Sequence, residues 1–436
     1  MWIELEDEIV KRGLKYHTVG HGWTCAPFGI NCTSGDKFDG IIPDETKQFF
    51  AMLNGKREIY KNPLHTNMCY SNPVVRNRII ESITDYCKAH PQVDYLHFWL
   101  ADNMNNHCEC ENCKDTLPSD FYVMMLNDLD KKLTKAGIDT KIVCLIYMDL
   151  LWEPKTEKIE NPDRFVLMFA PITRSYSTTL SDFDRTIPIN LVPYNRNKNE
   201  IPYSVAENVK RLEKWQDIRL ANDSFDFDYH LMWDHHSDLG YYNMAKLLHK
   251  DMTELELIGL NGMVSCQLQR VAFPTALPIY SMARGLWDKD SKFEDISAEY
   301  FAGAFGADGE KVEKYLSTIS DLFDPAYIRA NKVVEPSVAI ANITQAKNII
   351  LEFSNNEISK KSNTSPDWQY LACHAEMAIA FADAMISKLS DNDEEYSQNF
   401  DKFKNIVSKN AFITDTVLDD LYIKSDVETV LRRKRV

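Results

Sequence analysis

VDYLHFWLAD, residues 93–102, is an apolar run of strand length that ends on a carboxylate, Asp102. KIVCLIYMD (141–149) repeats the plan and ends on Asp149. Working outward, LKYHTVGHG (14–22), FVLMFAPITR (165–174), SFDFDYH (224–230) and GMVSCQLQ (262–269) are four further strand-like runs. Amphipathic segments separate them. One starts at Pro73 and runs to about Lys88. A second is capped by Ser119, carries Tyr122, Met125, Leu126, Leu129 and Leu133 on one face, and stops at Gly137. A third presents Val205, Val209, Leu212 and Trp215; a fourth presents Met244, Leu247, Leu248 and Leu255 and ends at Gly259. Strand–helix alternation at this spacing predicts parallel strands joined by crossover helices.

Two architectures satisfy that pattern, an open doubly wound sheet and a closed barrel. No G-x-G-x-x-G or G-x-x-x-x-G-K-[ST] follows any strand, which removes the main reason to expect a nucleotide fold. Polar residues at the C-terminal ends of the strands favour a (β/α)8-type (TIM) barrel, whose site is built where the strands end. Six strands are counted where that fold has eight, so the barrel is read as lacking its first two. Ahead of them, residues 1–12 read as a helix with Ile3, Leu5, Ile9 and Val10 inward. After about residue 290 the segments 294–305, 309–322, 336–354, 366–389 and 414–431 are helical, with Ser365-Pro366 a clear helix start. The expected division is therefore a barrel over 1–290 and an all-α domain over 291–436.

A chain of 436 residues with 44% apolar and 26% charged residues has the profile of a globular protein large enough for two domains. Its formal net charge of −16 argues against a nucleic-acid partner, which needs a basic face. The basic run Arg432-Arg433-Lys434-Arg435 reads as a solvated terminus. No apolar run is long enough to cross a bilayer, and the acidic start Met1-Trp2-Ile3-Glu4-Leu5-Glu6 is unlike a signal peptide. As written the protein is expected in the cytoplasm, or secreted if its true start lies upstream.

Side chains alternate along a strand, so parity sorts each run into two faces. In SFDFDYH, Asp226, Asp228 and His230 share a face, and the expectation is that they point to the barrel axis while Phe225, Phe227 and Tyr229 meet the outer helices. His17, Val19 and His21 share a face, as do Ser265, Gln267 and Gln269. Any one such residue is more often structural; six strands delivering polar groups to one rim point to a site. Carboxylates on a barrel rim suit glycoside hydrolysis. Trp23, Trp99, Trp152 and Trp233 lie near strand ends and offer faces for sugar C–H surfaces, although core packing is the commoner role for each. Amides such as Asn103, Asn106, Gln267 and Gln269 suit sugar hydroxyls, since each both donates and accepts.

Most of the ten cysteines stand singly in apolar settings, as Cys144 does, and read as buried small hydrophobes. His107-Cys108-Glu109-Cys110-Glu111-Asn112-Cys113 is different, because C-x-C-x-x-C can wrap one tetrahedral zinc. The fourth ligand is then His107 or a distant group such as Cys69. Such a zinc would be structural, with no open position, and the chemistry at the rim requires no cofactor. A disulfide and simply packed thiols are the alternatives; the H-x-E and P-C-x-x-C pairing of zinc deaminases is absent.

HFWLADNMNNHCECENC, LIYMDLLWEP, RFVLMFAPITRSYS, FDYHLMWDHHSDLGYY, GMVSCQLQRVAFPTALPIYSMARGLWD and EYFAGAFG together resemble the bacterial domain-of-unknown-function family 4838, over roughly residues 14–330. That family is similar to glycoside hydrolase family 163, which includes endo-β-N-acetylglucosaminidases, and more distantly to the barrel of α-glucuronidases. The resemblance implies an upstream domain and two strands before Gly20-His21-Gly22-Trp23, in keeping with the count of six; open barrel edges would favour self-association. It also implies an Asp–Glu pair in which Asp orients the substrate's acetamido group and Glu protonates the leaving oxygen. Here the pair is Asp102-Asn103, and an amide cannot supply that proton. The acid must come from Asp149, Glu109 or Asp228.

The reading is a retaining-type glycosidase acting on an oligosaccharide, one with N-acetylhexosamine being an option. Asp102 is the first catalytic candidate and Asp149 or Asp228 its partner. His17, His21, Trp23, Asn103, Asn106, Tyr147, Arg174, His230, Trp233, Gln267 and Gln269 are the candidate sugar contacts. A non-catalytic carbohydrate-binding barrel and a metal-dependent enzyme built on the cysteine loop are the alternatives.

Overall fold

The computed structural model describes residues 5–32, 35 and 37–433. Six strands form one sheet in chain order: β1 (His17–Gly20), β2 (Tyr95–Phe98), β3 (Lys141–Ile146), β4 (Phe165–Phe169), β5 (Asp223–Asp228) and β6 (Met263–Ser265). The first five pair in parallel, with His17 opposite Tyr95, Leu96 opposite Ile142, Val143 opposite Val166 and Met168 opposite Phe225. The sheet is strongly curled. In a flat sheet the four spacings from β1 to β5, at about 4.8 Å each, would separate these strands by roughly 19 Å. The rings of His17 and Phe225 nevertheless lie 6.1 Å apart, and those of Trp99 and Phe227 5.7 Å. The fold is thus α/β, a curled parallel half-barrel of six strands, with a helical C-terminal region.

The convex side of the sheet carries the crossover helices α1 (Pro73–Ala89), α2 (Pro118–Lys135) and α3 (Val205–Asp217). Asn72 caps α1 by accepting the Val74 N–H, and Pro73 fills the first turn where no donor is needed. Helical spacing then buries Val75, Ile79, Ile83 and Cys87. In α2 the capping position is Leu117, with Pro118 opening the helix; Ser119 sits fully buried in the first turn and is not the cap. The Tyr122 hydroxyl donates to Phe98 O of β2 and accepts the Leu145 N–H of β3, stitching the helix to two strands. β3 is enclosed on both faces, which explains its continuous apolar run.

The N-terminal helix is shorter than the sequence implies, Glu6–Lys11, and buries nothing; Leu5 and Val10 are exposed. Ile3 of that expectation, and Lys434 and Arg435 of the basic tail, fall outside the described residues. A short hairpin pairs Met52–Leu53 with Lys56–Arg57.

The chain's contacts divide it into two compact units that do not coincide with a cut at 290. The first comprises 1–174, 184–227 and 259–261; the second comprises 175–183, 228–258 and 262–436. The second unit therefore takes in α4 (Tyr242–Thr253) and the loop before it. The reason is local. Gly240 lies so close to the Leu316 carbonyl that a Cβ there would sit 2.1 Å from it. Asp238 accepts from Ser320 Oγ at 2.6 Å, and Asp234 takes the Arg329 guanidinium Nε at 2.7 Å. The longer remaining helices are α5 (Leu277–Trp287), α6 (Phe293–Phe305), α7 (Gly309–Phe323), α8 (Pro336–Phe353), α9 (Pro366–Leu389), α10 (Asp393–Thr414) and α11 (Asp420–Arg432). Ser365 caps α9 as its sequence indicates. The expected segment 414–431 is corrected: residue 414 ends α10, whose sparse apolar pattern hid it, and α11 starts after the Asp419 cap.

Candidate functional site

Asp102 lies just past the end of β2, about a third exposed. The Tyr147 hydroxyl, at the end of β3, donates to its Oδ1 at 3.0 Å. His65 Nε2 stands 3.7 Å from Oδ2, and the Asn103 N–H donates to Oδ1 at 2.7 Å. His21, following β1, is fixed by its Nδ1, 2.8 Å from Leu100 O, and stands edge-on to Trp99. Burial holds the His21 imidazole below its ordinary range, and the Asp102 carboxylate opposes part of that shift. Trp99 also meets Phe227 edge-on, their centroids 5.7 Å apart. The Trp99 indole N–H and His65 Nδ1 are enclosed without a partner among the described residues, which is uncommon for buried donors and acceptors.

The loops that carry these groups are strained. Asn103, Asn105 and Met148 adopt left-handed backbone conformations, with φ of 81°, 56° and 51°. Asn tolerates this region; Met does so at a cost of about 1–2 kcal/mol. Asp149 is the clamp that makes the strain hold. Its carboxylate accepts the Asn105 N–H at 2.7 Å and Asn199 Nδ2 at 2.8 Å, and it is 2% exposed. Asn106 is also structural: it is enclosed, donates to the His65 and Asp102 carbonyls, and accepts from Asn67 Nδ2. Glu109 is bound by the Asn54 N–H and by Asn197 Nδ2.

The face assignment of SFDFDYH is reversed. Phe225 and Phe227 line the concave side with His17, His97 and Trp99, while Asp226 pairs with Phe169 in register on the helix-facing side and is fully buried. Alternation was read correctly, but polarity did not say which side was the axis. Asp228 and His230 are fully buried within the second unit. There the Tyr176 hydroxyl donates to Asp228 at 2.6 Å, and His230 Nε2 donates to Asp251 at 2.8 Å. Trp23 is a core residue that donates to His97 O and meets Tyr86 edge-on. His17 sits within β1 and contacts His97. Trp152 is buried and donates to Val192 O. Arg174 is buried in the first unit; in the second, Trp233 stacks on Tyr229, Gln267 is half-buried and Gln269 is exposed. The structure thus brings together Asp102, Asn103, Tyr147 and His21. His65 was missed because it belongs to a turn, Pro63–His65, that no strand pattern marks.

The cysteine loop converges on a partner from the start of α1. The sulfurs of Cys69, Cys108, Cys110 and Cys113 all lie within 4.8 Å of one another. His107 is not among them; it is buried, its backbone N–H donates to Asn197 Oδ1, and burial pushes its imidazole down to about 4. Of the two candidates for a fourth member, the geometry groups Cys69, and not His107, with the three sulfurs of the loop.

The fold class is α/β, a curled parallel half-barrel sheet with a helical C-terminal region. The model of the family described as Domain of unknown function (DUF4838) matches residues 37–317, and the chain belongs to that family. No curated protein matches it. Among the described residues no helix is long and apolar enough to cross a membrane.

Proposed function

We propose that the rim around Asp102 binds an oligosaccharide and that the protein is glycoside-hydrolase-like, its curled sheet representing most of a (β/α)8-type barrel akin to those of glycoside hydrolase family 163. The observation that supports this most is the state of Asp102: a partly exposed carboxylate held by a phenol and a backbone N–H, beside the His65 imidazole, with the aromatic residue Trp99 closing the same strand end. A sugar needs an aromatic face and a fixed acceptor for its hydroxyls, and an oxocarbenium-like centre needs a carboxylate nearby. In the family-based mechanism Asn103 cannot protonate a leaving group; the side chains beside the Asp102 carboxylate are the Tyr147 phenol and the His65 imidazole.

The test is incubation of the full chain with a panel of oligosaccharides, with and without N-acetylhexosamine, followed by Asp102→Asn on any substrate that is cleaved. Loss of turnover by at least about 100-fold is expected, as for other groups that stabilise charge in the transition state. Wild-type turnover in Asp102→Asn would sink the assignment. A second reading, sugar binding without cleavage, is favoured by one observation: Asp149 and Asp228 are both buried and occupied, and Glu109 is engaged by two donors, so none of these three stands as a ready acid. Saturable binding by calorimetry with unchanged sugar after long incubation would select it.

A further inference from the structure

Four cysteine sulfurs meet at one point of the first unit, drawn from two places in the chain. Cys69 comes from the segment that leads into α1; Cys108, Cys110 and Cys113 come from the loop after β2. Cys69 Sγ is 3.7 Å from Cys110 Sγ and 3.9 Å from Cys113 Sγ. A disulfide needs sulfurs at about 2.05 Å, far closer than these. A tetrahedron of sulfurs around zinc, with bonds of about 2.3 Å, has edges of about 3.8 Å. The two Cys69 separations match that edge, and all four sulfurs lie within 4.8 Å of one another.

The surroundings suit thiolates rather than thiols. The Met52 N–H points to Cys108 Sγ at 3.2 Å, and Arg57 Nη1 lies 3.8 Å from the same sulfur. Ser71 Oγ is 3.1 Å from Cys113 Sγ and 3.4 Å from Cys69 Sγ. Backbone N–H and guanidinium donors around sulfur are the outer partners that hold a thiolate ligand and offset its charge; the Ser71 hydroxyl, which accepts from the Cys113 thiol here, can turn to donate once that thiol is ionised. The Cys113 and Lys114 N–H groups both donate to Cys110 O, a tight turn that carries Cys110 and Cys113 back to one centre. Three sulfurs are buried, while Cys110 is partly exposed and leaves a path for entry.

We propose that Cys69, Cys108, Cys110 and Cys113 bind one thiophilic divalent cation, zinc by its fit to four sulfurs. Binding converts four thiols to thiolates and releases their protons, with no change of oxidation state. The site is closed, with all four positions taken by protein, so its role is to fasten the loop after β2 to the start of α1. That loop begins at Asp102, and the tie is independent of what, if anything, the rim binds. It makes a different statement from sugar recognition and fails separately.

The experiment is metal analysis and cobalt substitution of the full chain purified under reducing conditions. One zinc per chain is expected. Cobalt loading should give the strong sulfur-to-metal charge-transfer band and the visible bands of a tetrahedral tetrathiolate, reversed by zinc. Cys69→Ser should lose the stoichiometric metal and that spectrum, whereas His107→Gln should keep both. Absence of zinc together with failure of the wild-type chain to take up cobalt would overturn the proposal, whatever the variants do. Retention of the unaltered spectrum in Cys69→Ser, or its loss in a folded His107→Gln, would overturn the ligand set. Sugar binding can be scored on the same samples, so a metal site without a sugar, or the reverse, is read directly.

Discussion

Two groups of acidic and imidazole side chains follow strands of the same sheet, and they have opposite fates. After β2, Asp102 and His65 stand 3.7 Å apart, each between a fifth and a third exposed. After β5, Asp228, His230 and Asp251 form a cluster with no exposed surface, and Asp251 also accepts the Leu180 N–H at 2.7 Å. The chemistry of the residues is alike. Accessibility differs, and it sets the use: a sealed cluster holds polypeptide together, while an open one keeps capacity for a ligand. Polar residues at strand ends mark where to look and leave open which of these two outcomes holds.

The largest effect expected from this contrast is on stability. Asp251→Ala should leave the His230 imidazole without its 2.8 Å acceptor and the Leu180 amide without its own, inside a fully buried cluster. Each buried polar group left unsatisfied costs about 1–3 kcal/mol. Asp102→Ala, at a partly hydrated position, should cost less than about 1 kcal/mol while abolishing sugar binding. Urea denaturation of the two variants measures the difference. Equal losses would mean that Asp102 is as structural as Asp251, and the distinction between the regions would collapse.

How much of this was legible beforehand follows the same line. The strand at 141–149 is legible because its stretch from Ile142 to Ile146 is apolar and buried at every position, and α9 because Ser365-Pro366 announces a start. The side of β5 that faces the axis could not be read. Phe225 and Phe227 are as compatible with a concave lining as with a helix interface, and Asp226 is buried against expectation. Asp102 and Tyr147 were found through strand ends. His65 was not, since its position depends on a loop fold held by Asn62 and Asn106 rather than on periodicity. Cys69 was an option in sequence, and only the return of the chain beside α1 separates it from His107.

Acid sensitivity offers a second, smaller way to sharpen the comparison. His374 on α9 is buried, donates through Nε2 to Leu239 O at 2.7 Å, and is pushed down to about 4 by burial. In the unfolded chain an imidazole takes its proton near 6.5. Between these values the unfolded state binds a proton that the folded state refuses. Stability is therefore retained above about 6.5 and falls as pH drops toward 4, by about 1.4 kcal/mol per pH unit for this one group. His374→Gln keeps an amide donor for Leu239 O and removes the titration. Denaturation curves at several pH values should show a shallower acid slope in the variant; an unchanged slope would show that His374 charges as readily in the folded chain as outside it.

The smallest effect expected is a gain. Met148 holds φ at 51°, directly after the tyrosine that binds Asp102, with Asp149 clamping the neighbouring loop. An L-residue pays about 1–2 kcal/mol in that conformation, whereas glycine pays none there but loses about 0.5–1 kcal/mol through its freer unfolded state. Met148→Gly should therefore raise stability by roughly 0.5 kcal/mol. If the strain serves to aim Tyr147 at Asp102, the same variant should bind sugar more weakly, because a relaxed loop no longer fixes the phenol. A gain in stability with unchanged binding would make the strain incidental to the rim. A loss of stability would mean that the Met148 side chain packs well enough to outweigh its backbone.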